Sequence, residues 1–352
     1  MADEADLVDR DRLRTFLAAR LGETEQFDVE RHDQGFSNET LFVTWGDRDL
    51  VIRRPPPGET ADTAHDVLRE YEVVHALQDT DVPVPTTVAE SEDTDVMGCP
   101  FYVMERLEGD VIRFVELDRF ADADARRQVG EEMVDTLAAI HTVDVESVGL
   151  EDFGTPEGFA QRQVDRWTEQ FEWAFEETTA EREVPAIHRI GDWLDDNVPD
   201  ESAHALVHGD YKLDNVIFAP GTPPEIGGVL DWEMSTLGDP LCDLGWLLFF
   251  WPDPEDDLSP LMQTMAPSFT ADEDYLTRGE LVERYEDQTG VTVENQRFYR
   301  VLAVYKMAAL GEMFFARYLM GNSDNTLYQM MEDGVPTMAD HAVEIIEGER
   351  PL

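Results

Sequence analysis

A polar loop set among short apolar segments constrains this chain more than any other feature of its sequence. The loop, residues 206–218, carries Asp210 and, five residues later, Asn215; Asp231 follows sixteen residues after Asn215. The apolar segments lie at residues 205–207, 216–218 and 229–230. Because they are short and bounded by polar, Gly or Pro residues, they predict buried hairpin strands with polar side chains gathered at their ends.

The order and spacing of these residues resemble the catalytic loop and metal-binding Asp of protein kinases. Phosphoryl transfer needs positioning and neutralisation of phosphate charge more than covalent help from the protein. Asp210 is predicted to take the proton of an acceptor hydroxyl, and Lys212 to lie against the γ-phosphate. Asn215 and Asp231 are predicted as oxygen ligands for Mg²⁺. We expect His208 to hydrogen-bond within the loop as a scaffold.

The overall charge is extreme. The 352 residues carry 78 acidic against 26 basic side chains, a net charge of −52, with the acid spread along the chain. This pattern is typical of cytosolic proteins from salt-loving microbes, where a short Debye length screens self-repulsion. It also excludes nucleic acid as an expected partner, since phosphate backbones require a basic face.

Lysine is almost absent from the chain, which has only Lys212 and Lys306. Where a bias has removed nearly every lysine, those that remain are expected to do what an acidic or neutral residue cannot. Lys212 lies in the polar loop. Lys306 lies in an apolar helical segment, either as a buried ion-pair partner or facing the acceptor site.

Localisation is predicted from three absences. Cys99 and Cys242 lack metal-ligand spacing and fit free thiols in a reducing compartment. The amino terminus lacks the basic and apolar regions of a signal peptide. The longest apolar run, residues 244–251, is too short to span a bilayer. A cytoplasmic protein without a membrane segment is expected.

The first part of the chain predicts a helix at residues 7–21 and strands separated by turns, one of which suits phosphate binding. This turn holds Gly35, Ser37 and Asn38, where a kinase has the loop that covers the ATP phosphates. It lacks G-x-G-x-x-G, so we expect Ser37 and Asn38 to supply the donors.

A charged pair and a connector complete the predicted nucleotide site. Arg53 occupies the place of the phosphate-pairing Lys, and Glu70, on a helix predicted at residues 63–77, is its expected partner, with Glu72 as the alternative. After a predicted strand, the backbone near Glu105 and Leu107 is expected to contact the adenine.

Helical periodicity dominates the rest of the chain, in segments at residues 121–141, 158–177, 181–197, 296–320 and 326–346. Asp239, just before Pro240, is predicted to cap a helix. Asp243 lies in that helix, where an unpaired carboxylate would be costly, so we expect it to brace the catalytic loop. The predicted fold is α+β and two-lobed like a protein kinase, with a nucleotide-binding lobe at residues 1–109 and a catalytic and acceptor-binding lobe at residues 110–352.

With these residues in place, the chain resembles the aminoglycoside phosphotransferase and choline kinase superfamily, which has a protein-kinase-like fold. It is most similar to the phosphotransferase domains associated with acyl-CoA dehydrogenases. The matching stretches lie at residues 35–38, 51–58, 101–105, 230–236 and 317–322.

The resemblance implies an ATP- and Mg²⁺-dependent kinase that phosphorylates a hydroxyl of a small molecule. The acceptor remains open between a hydroxyacyl-CoA and an aminoglycoside, choline-like amino alcohol or sugar; an inactive nucleotide-binding pseudokinase is the alternative from another class. A CoA would require clustered cations near Asp210, for which the candidates are Arg162, Arg166, Lys306 and Arg317.

Overall fold

The computed structural model describes residues 8–32, 38–56, 67–200, 204–256, 260–322 and 325–350. Its amino-terminal part is built on a five-stranded antiparallel sheet of order β1-β2-β3-β5-β4. The strands are β1 (Phe27–His32), β2 (Glu39–Trp45), β3 (Arg48–Arg54), β4 (Thr87–Ser91) and β5 (Phe101–Glu105). Three helices accompany them: α1 (Arg10–Leu21), α2 (Val67–Ala76) and α3 (Thr94–Met97).

Helices cover both faces of this sheet. On β2, Leu41, Val43 and Trp45 are buried at every second position and belong to the same apolar cluster as Leu13 and Leu17 of α1. On the other face, side chains of β3 and β5 pack with Val67 of α2. Strand β3 therefore buries consecutive residues, as a strand between two layers must.

The remainder is mostly helical. Its helices are α4 (Ala123–His141), α5 (Phe159–Thr178), α6 (Pro185–Asp196), α7 (Pro240–Phe249), α8 (Pro260–Met265), α9 (Arg278–Thr289), α10 (Gln296–Leu319) and α11 (Thr326–Glu347). Helix α10 lies at the centre and contacts α5, α7 and α11. The architecture is the predicted two-lobed, protein-kinase-like α+β fold. None of the described helices is long and apolar enough to cross a bilayer.

Two short antiparallel pairs carry the polar loop. They pair β6 (Ala205–Val207) with β9 (Thr236–Gly238), and β7 (Val216–Phe218) with β8 (Ile226–Val229). The three predicted strands are present, but the first pairs with neither of the other two. Its partner β9 follows Asp231, and the sequence Thr-Leu-Gly is too short to be identified as a strand. The pairing places the polar loop and the Asp231 loop side by side.

Other differences from the sequence expectations are local. Strand β4 was not predicted, and α6 begins at Pro185 rather than at residue 181. Pro185 occupies the first helical turn, where its missing N–H costs nothing. The predicted cap is confirmed, because Asp239 accepts a hydrogen bond from the amide of Leu241.

An ion pair in the helical part has a fully buried carboxylate. Glu312 on α10 is fully buried and accepts from the guanidinium of Arg182 at 3.0 and 2.8 Å. The hydroxyl of Thr178 donates to the same carboxylate at 2.5 Å. Removing one partner from such a pair leaves an uncompensated buried charge.

We predict that Arg182→Met lowers the free energy of unfolding by about 3–5 kcal/mol, because Glu312 loses its counter-charge. The matched control is Arg189→Met, which removes the exposed pair with Glu347 and should cost less than about 1 kcal/mol. Denaturant unfolding of both variants measures the difference; equal losses would contradict the assignment of Glu312 as a buried anion.

Candidate active site

The polar loop is anchored by a buried carboxylate on α7. Asp243 accepts from the amide of His208 at 2.6 Å and from the amide of Gly209 at 2.9 Å. Its Oδ2 also lies 3.4 Å from Nε2 of His141. Burial alone would raise the pKa of Asp243, but His141 and the other partners outweigh it, and the pKa is lowered. Asp243 braces the loop as the sequence predicts.

His208 is part of the scaffold and not a free acid or base. Its Nδ1 accepts from the amide of Asp210 at 3.2 Å, and its Nε2 lies 2.8 Å from the carbonyl of Leu230. These bonds fit a neutral ring protonated at Nε2, and burial lowers the pKa of His208. The ring also packs against Trp232. His208 thus joins the polar loop to the segment that carries Asp231.

The next residue can only be glycine. Gly209 has φ +83°, and a Cβ there would lie 2.6 Å from the backbone oxygen of Met234. The absent Cβ lets the loop pack directly against the backbone of the segment that follows Asp231.

Asp210 is held as a carboxylate by polar partners on both oxygens. Lys212 Nζ and Asn215 Nδ2 donate to Oδ2, the latter at 2.8 Å, and Trp246 Nε1 donates to Oδ1 at 2.8 Å. Burial would raise the pKa of Asp210, but Lys212 and Lys306 outweigh it and lower the pKa. Conversely, Asp210 and Asp214 raise the pKa of Lys212 against its burial. The pair is therefore ionised, Asp210 as anion and Lys212 as cation.

The second lysine lies behind the same loop. Lys306, on α10, donates to the carbonyl of Gly209 at 2.5 Å, and its ammonium lies 3.7 Å from the ring centroid of Trp246. Within the described chain no carboxylate approaches it closely enough for an ion pair, so the ion-pair alternative is wrong. Burial lowers the pKa of Lys306 to about 8.

Asn215 and Asp231 are brought together by the β7–β8 hairpin, because the amide of Leu230 donates to the carbonyl of Asn215 at 2.8 Å. Asn215 Nδ2 is occupied by Asp210, which leaves Oδ1 as the oxygen able to bind a cation. Asp231 has φ 66°, a conformation that aspartate tolerates better than most residues. Two oxygen ligands of this kind fit Mg²⁺ that also binds phosphates; the described residues hold no cluster of three or more His, Cys, Asp or Glu for a metal.

The predicted ion pair between Arg53 and Glu70 is present. Arg53 Nε lies 3.4 Å from Glu70, and its NH2 group lies 3.2 Å from Asp231. Burial would lower the pKa of Arg53, but the carboxylates, first that of Glu70, raise it. Arg53 therefore links the sheet, helix α2 and the Asp231 segment. The alternative partner Glu72 is not needed.

The predicted phosphate-covering turn is described only in part. Gly35 and Ser37 lie outside the described residues. Asn38 is buried, and its Nδ2 lies 3.5 Å from Glu233 Oε2. Its Oδ1 is buried without a hydrogen-bond partner in the described chain. A buried amide oxygen without a partner, close to strand β3 that carries Arg53, suits a position that faces a ligand.

The connector after β5 lies over the β7–β8 hairpin. A Cβ on Gly228 would meet Leu107 Cδ1, so the Leu107 side chain packs directly on β8. The amide of Glu105 donates to the carbonyl of Thr86 at 2.8 Å, and its side chain pairs with Arg48. The amide of Arg106 donates to the carbonyl of Asp49 at 2.9 Å, so the predicted adenine contact near Glu105 and Leu107 would have to use other backbone groups.

The four acceptor-side cations do not all converge. Lys306 lies at the loop, and Arg166 is close enough to lower its pKa further. Arg162 instead donates to the carbonyls of Glu157 and Thr155 near the start of α5. Arg317 is exposed near the end of α10.

Sequence reasoning missed Trp246 and His141. Trp246 lies three residues after Asp243, on the same face of α7, so the helical repeat could have placed it beside the loop. His141 ends α4, far away in sequence, and nothing local pairs it with Asp243.

Comparison with known sequences places this site in a family. Residues 28–281 match the phosphotransferase enzyme family APH. The chain is 34% identical over 322 residues to acyl-CoA dehydrogenase family member 11 of Gallus gallus, covering 90% of this chain and 40% of that protein. It is 32% identical over 339 residues to the probable acyl-CoA dehydrogenase IBR3 of Arabidopsis thaliana, with 91% and 40% covered. The chain thus spans well under half the length of these relatives.

Solved structures agree. A protein of Ralstonia eutropha JMP134 assigned to the aminoglycoside phosphotransferases superposes with a TM-score of 0.83 at 30% identity, covering 97% of this chain and 99% of that one. Choline kinase of Cryptosporidium parvum shares the fold with a TM-score of 0.66 at 11% identity, covering 97% and 96%. The chain, with its Asp210 loop and Asp231 segment inside the matched region, belongs to the phosphotransferase enzyme family.

Proposed function

We propose that the protein is a small-molecule kinase that transfers the γ-phosphoryl group of ATP to an acceptor hydroxyl in the presence of Mg²⁺. The observation that carries the proposal is the Asp210 carboxylate, held ionised beside Asn215 and Asp231 in a loop fixed by Asp243. Residues 1–109 would bind the nucleotide and residues 110–352 would supply the catalytic groups and the acceptor site.

Each residue has one role in this proposal. Asp210 accepts the proton of the acceptor hydroxyl; its low pKa suits a reaction in which the proton leaves late and positioning dominates. Lys212 and Arg53 place positive charge beside the transferred and bound phosphates. Asn215 and Asp231 would hold Mg²⁺, which would neutralise phosphate charge there.

The nucleotide would lie between the sheet and the connector. Asn38, together with Gly35 and Ser37, would cover its phosphates, and the backbone near Glu105 and Leu107 would contact the adenine. Glu70 contributes by fixing Arg53, to which it is already paired.

The acceptor side favours an anionic substrate. Both lysines of a chain with a net charge of −52 lie at the Asp210 loop, and Arg166 is electrostatically close to one of them. These cations fit the phosphates of a hydroxyacyl-CoA, and we favour that acceptor over an aminoglycoside or a choline-like amino alcohol, although Asp210 and Asp214 also lie beside Lys212. The names of the dehydrogenase relatives point to the same class of substrate.

The setting would be the cytoplasm of a cell with high internal salt. The acidic composition supports high salt, and Cys99 and Cys242 are free thiols. We therefore expect the protein to be active in molar KCl.

We predict acceptor-dependent ADP release with Mg-ATP in molar KCl, and a decrease of about 10²–10⁴-fold in kcat in Asp210→Asn, because the base is lost. The panel includes hydroxyacyl-CoAs, choline-like amino alcohols, sugars and aminoglycosides. Asp144→Asn, an exposed aspartate elsewhere in the helical part, is the matched control and should retain activity. ATP binding without turnover on any acceptor, unchanged in Asp210→Asn, would indicate a pseudokinase.

The ammonium of Lys306 should impose an alkaline limit on activity. The pKa of Lys306 is lowered to about 8. Raising the pH through that value therefore removes the positive charge, and one N–H, from the group that donates to the Gly209 carbonyl. The rate should therefore decline above about pH 8, while the low pKa of Asp210 keeps the neutral range flat.

Two variants separate this effect from simple destabilisation. Lys306→Arg keeps the charge and should move the alkaline decline to higher pH, whereas Lys306→Met should lower kcat at neutral pH and lose that decline. Measured pH profiles of kcat decide; an alkaline decline that stays in place in Lys306→Arg would assign it to another group.

A further inference from the structure

A cavity lies on the far side of the helices that hold the catalytic loop. It has a volume of about 170 Å³ and is enclosed chiefly by α7, α10 and α11. Gly245 and Leu248 of α7 face it, whereas Asp243 and Trp246 of the same helix face the loop. At 100° per residue these positions lie on different sides of the helix, so the cavity is separate from the proposed active site.

Positive side chains collect in this cavity although the protein is strongly acidic. Arg278, Arg300, Arg350 and His341 all line it. Carboxylates also line it, but not every arginine is paired with one of them. Asp256 pairs with Arg278 at 2.9 Å, and Glu344 accepts from Arg350 at 2.5 Å. Asp340 is not paired within 4 Å with any cation of the described chain.

Arg300 is the cation without a counter-ion. Its guanidinium donates to the carbonyl of Arg350 at 3.1 Å, and no carboxylate of the described residues lies within ion-pair distance of it. Burial, followed by repulsion from Arg278, lowers its pKa to about 10. A half-buried guanidinium in this state is stabilised by any anion that enters the cavity.

Two further polar groups have spare hydrogen-bonding capacity. Arg278 is 9% exposed, and its Nε makes no hydrogen bond within the described chain although it lies 3.5 Å from an Asp253 oxygen. His341 has a pKa lowered to about 4 by burial and the neighbouring arginines, so the ring is neutral at pH 7. Arg278 and His341 thus add polar groups to the lining of the cavity.

Part of the lining is apolar and fixes the class of ligand. This apolar wall consists of Leu248, Phe249, Val304, Met338 and Ile345. An inorganic anion would leave this wall without contact, whereas a short alkyl chain would cover it. A cavity of about 150 Å³ accommodates benzene, a molecule of about six heavy atoms, and butyrate has the same number.

We propose that this cavity is a second ligand site, which binds a short-chain carboxylic acid with its carboxylate at Arg300 and its alkyl chain against the apolar wall. Because α7 and α10 carry both the cavity and the anchors of the catalytic loop, the occupant would contact the two helices on which that loop depends. The proposal concerns binding and holds whether or not the protein is a kinase.

Thermal unfolding of the full chain at constant KCl tests it. Potassium butyrate should raise Tm by a few degrees, about 2–4 °C at a concentration near one hundred times its Kd. Butyramide, which has the same shape without the charge, and inorganic phosphate, which lacks the alkyl chain, should not. Equal shifts with butyrate and butyramide, or a shift with phosphate alone, would overturn the proposal.

Variants locate the site. Arg300→Gln should abolish the butyrate shift, and Arg297→Gln, an exposed arginine one turn earlier on α10, should keep it. A shift that persists in Arg300→Gln would also overturn the proposal.

A chain-length series on the unmodified protein gives a test that needs no variant to fold. Acetate, propionate, butyrate, hexanoate and octanoate should give shifts that peak near butyrate, since longer chains exceed the cavity. A shift that rises steadily with chain length would contradict a site of this size.

Discussion

The proposed active site depends on the two backbone hydrogen bonds that Asp243 accepts from His208 and Gly209. An ionised carboxylate in the apolar helix α7 would be costly if unpaired, so the contacts constrain both helix and loop. His208 then extends the constraint to Leu230, and the β7–β8 hairpin extends it to Asn215. Every group that we propose to hold a proton, metal or phosphate in the helical part is fixed by this chain of contacts.

The lysines and most of the acidic side chains occupy different parts of the structure. The surface carries the acid, while the lysines are kept where an anion must be held or stabilised. Lys212 pairs with Asp210, and Lys306 supports the Gly209 carbonyl from behind. Arg53 connects the two lobes through Glu70 and Asp231. Cations gathered at this loop, in a strongly acidic protein, favour the binding of phosphate groups there.

Much of the fold and of the site was predictable because the relevant signals are local. Fixed spacing identified the Asp210 loop, and an isolated carboxylate in an apolar helix identified Asp243 as a brace. Pairings between distant segments were not predictable: β6 pairs with β9 across the Asp231 segment, and His141 reaches Asp243 from another helix. Strand β9 is three residues long, and so short a strand is defined by its partner more than by its own sequence.

The central claim is that Asn215 and Asp231 form the metal end of a nucleotide site beside Asp210. Its most direct test is a crystal structure with a non-hydrolysable ATP analogue and Mn²⁺, with anomalous diffraction at the manganese edge. We predict a manganese peak in direct contact with Asn215 Oδ1 and an Asp231 oxygen, with the γ-phosphate facing Asp210. A peak held by other residues, or a nucleotide bound away from this loop, would contradict it.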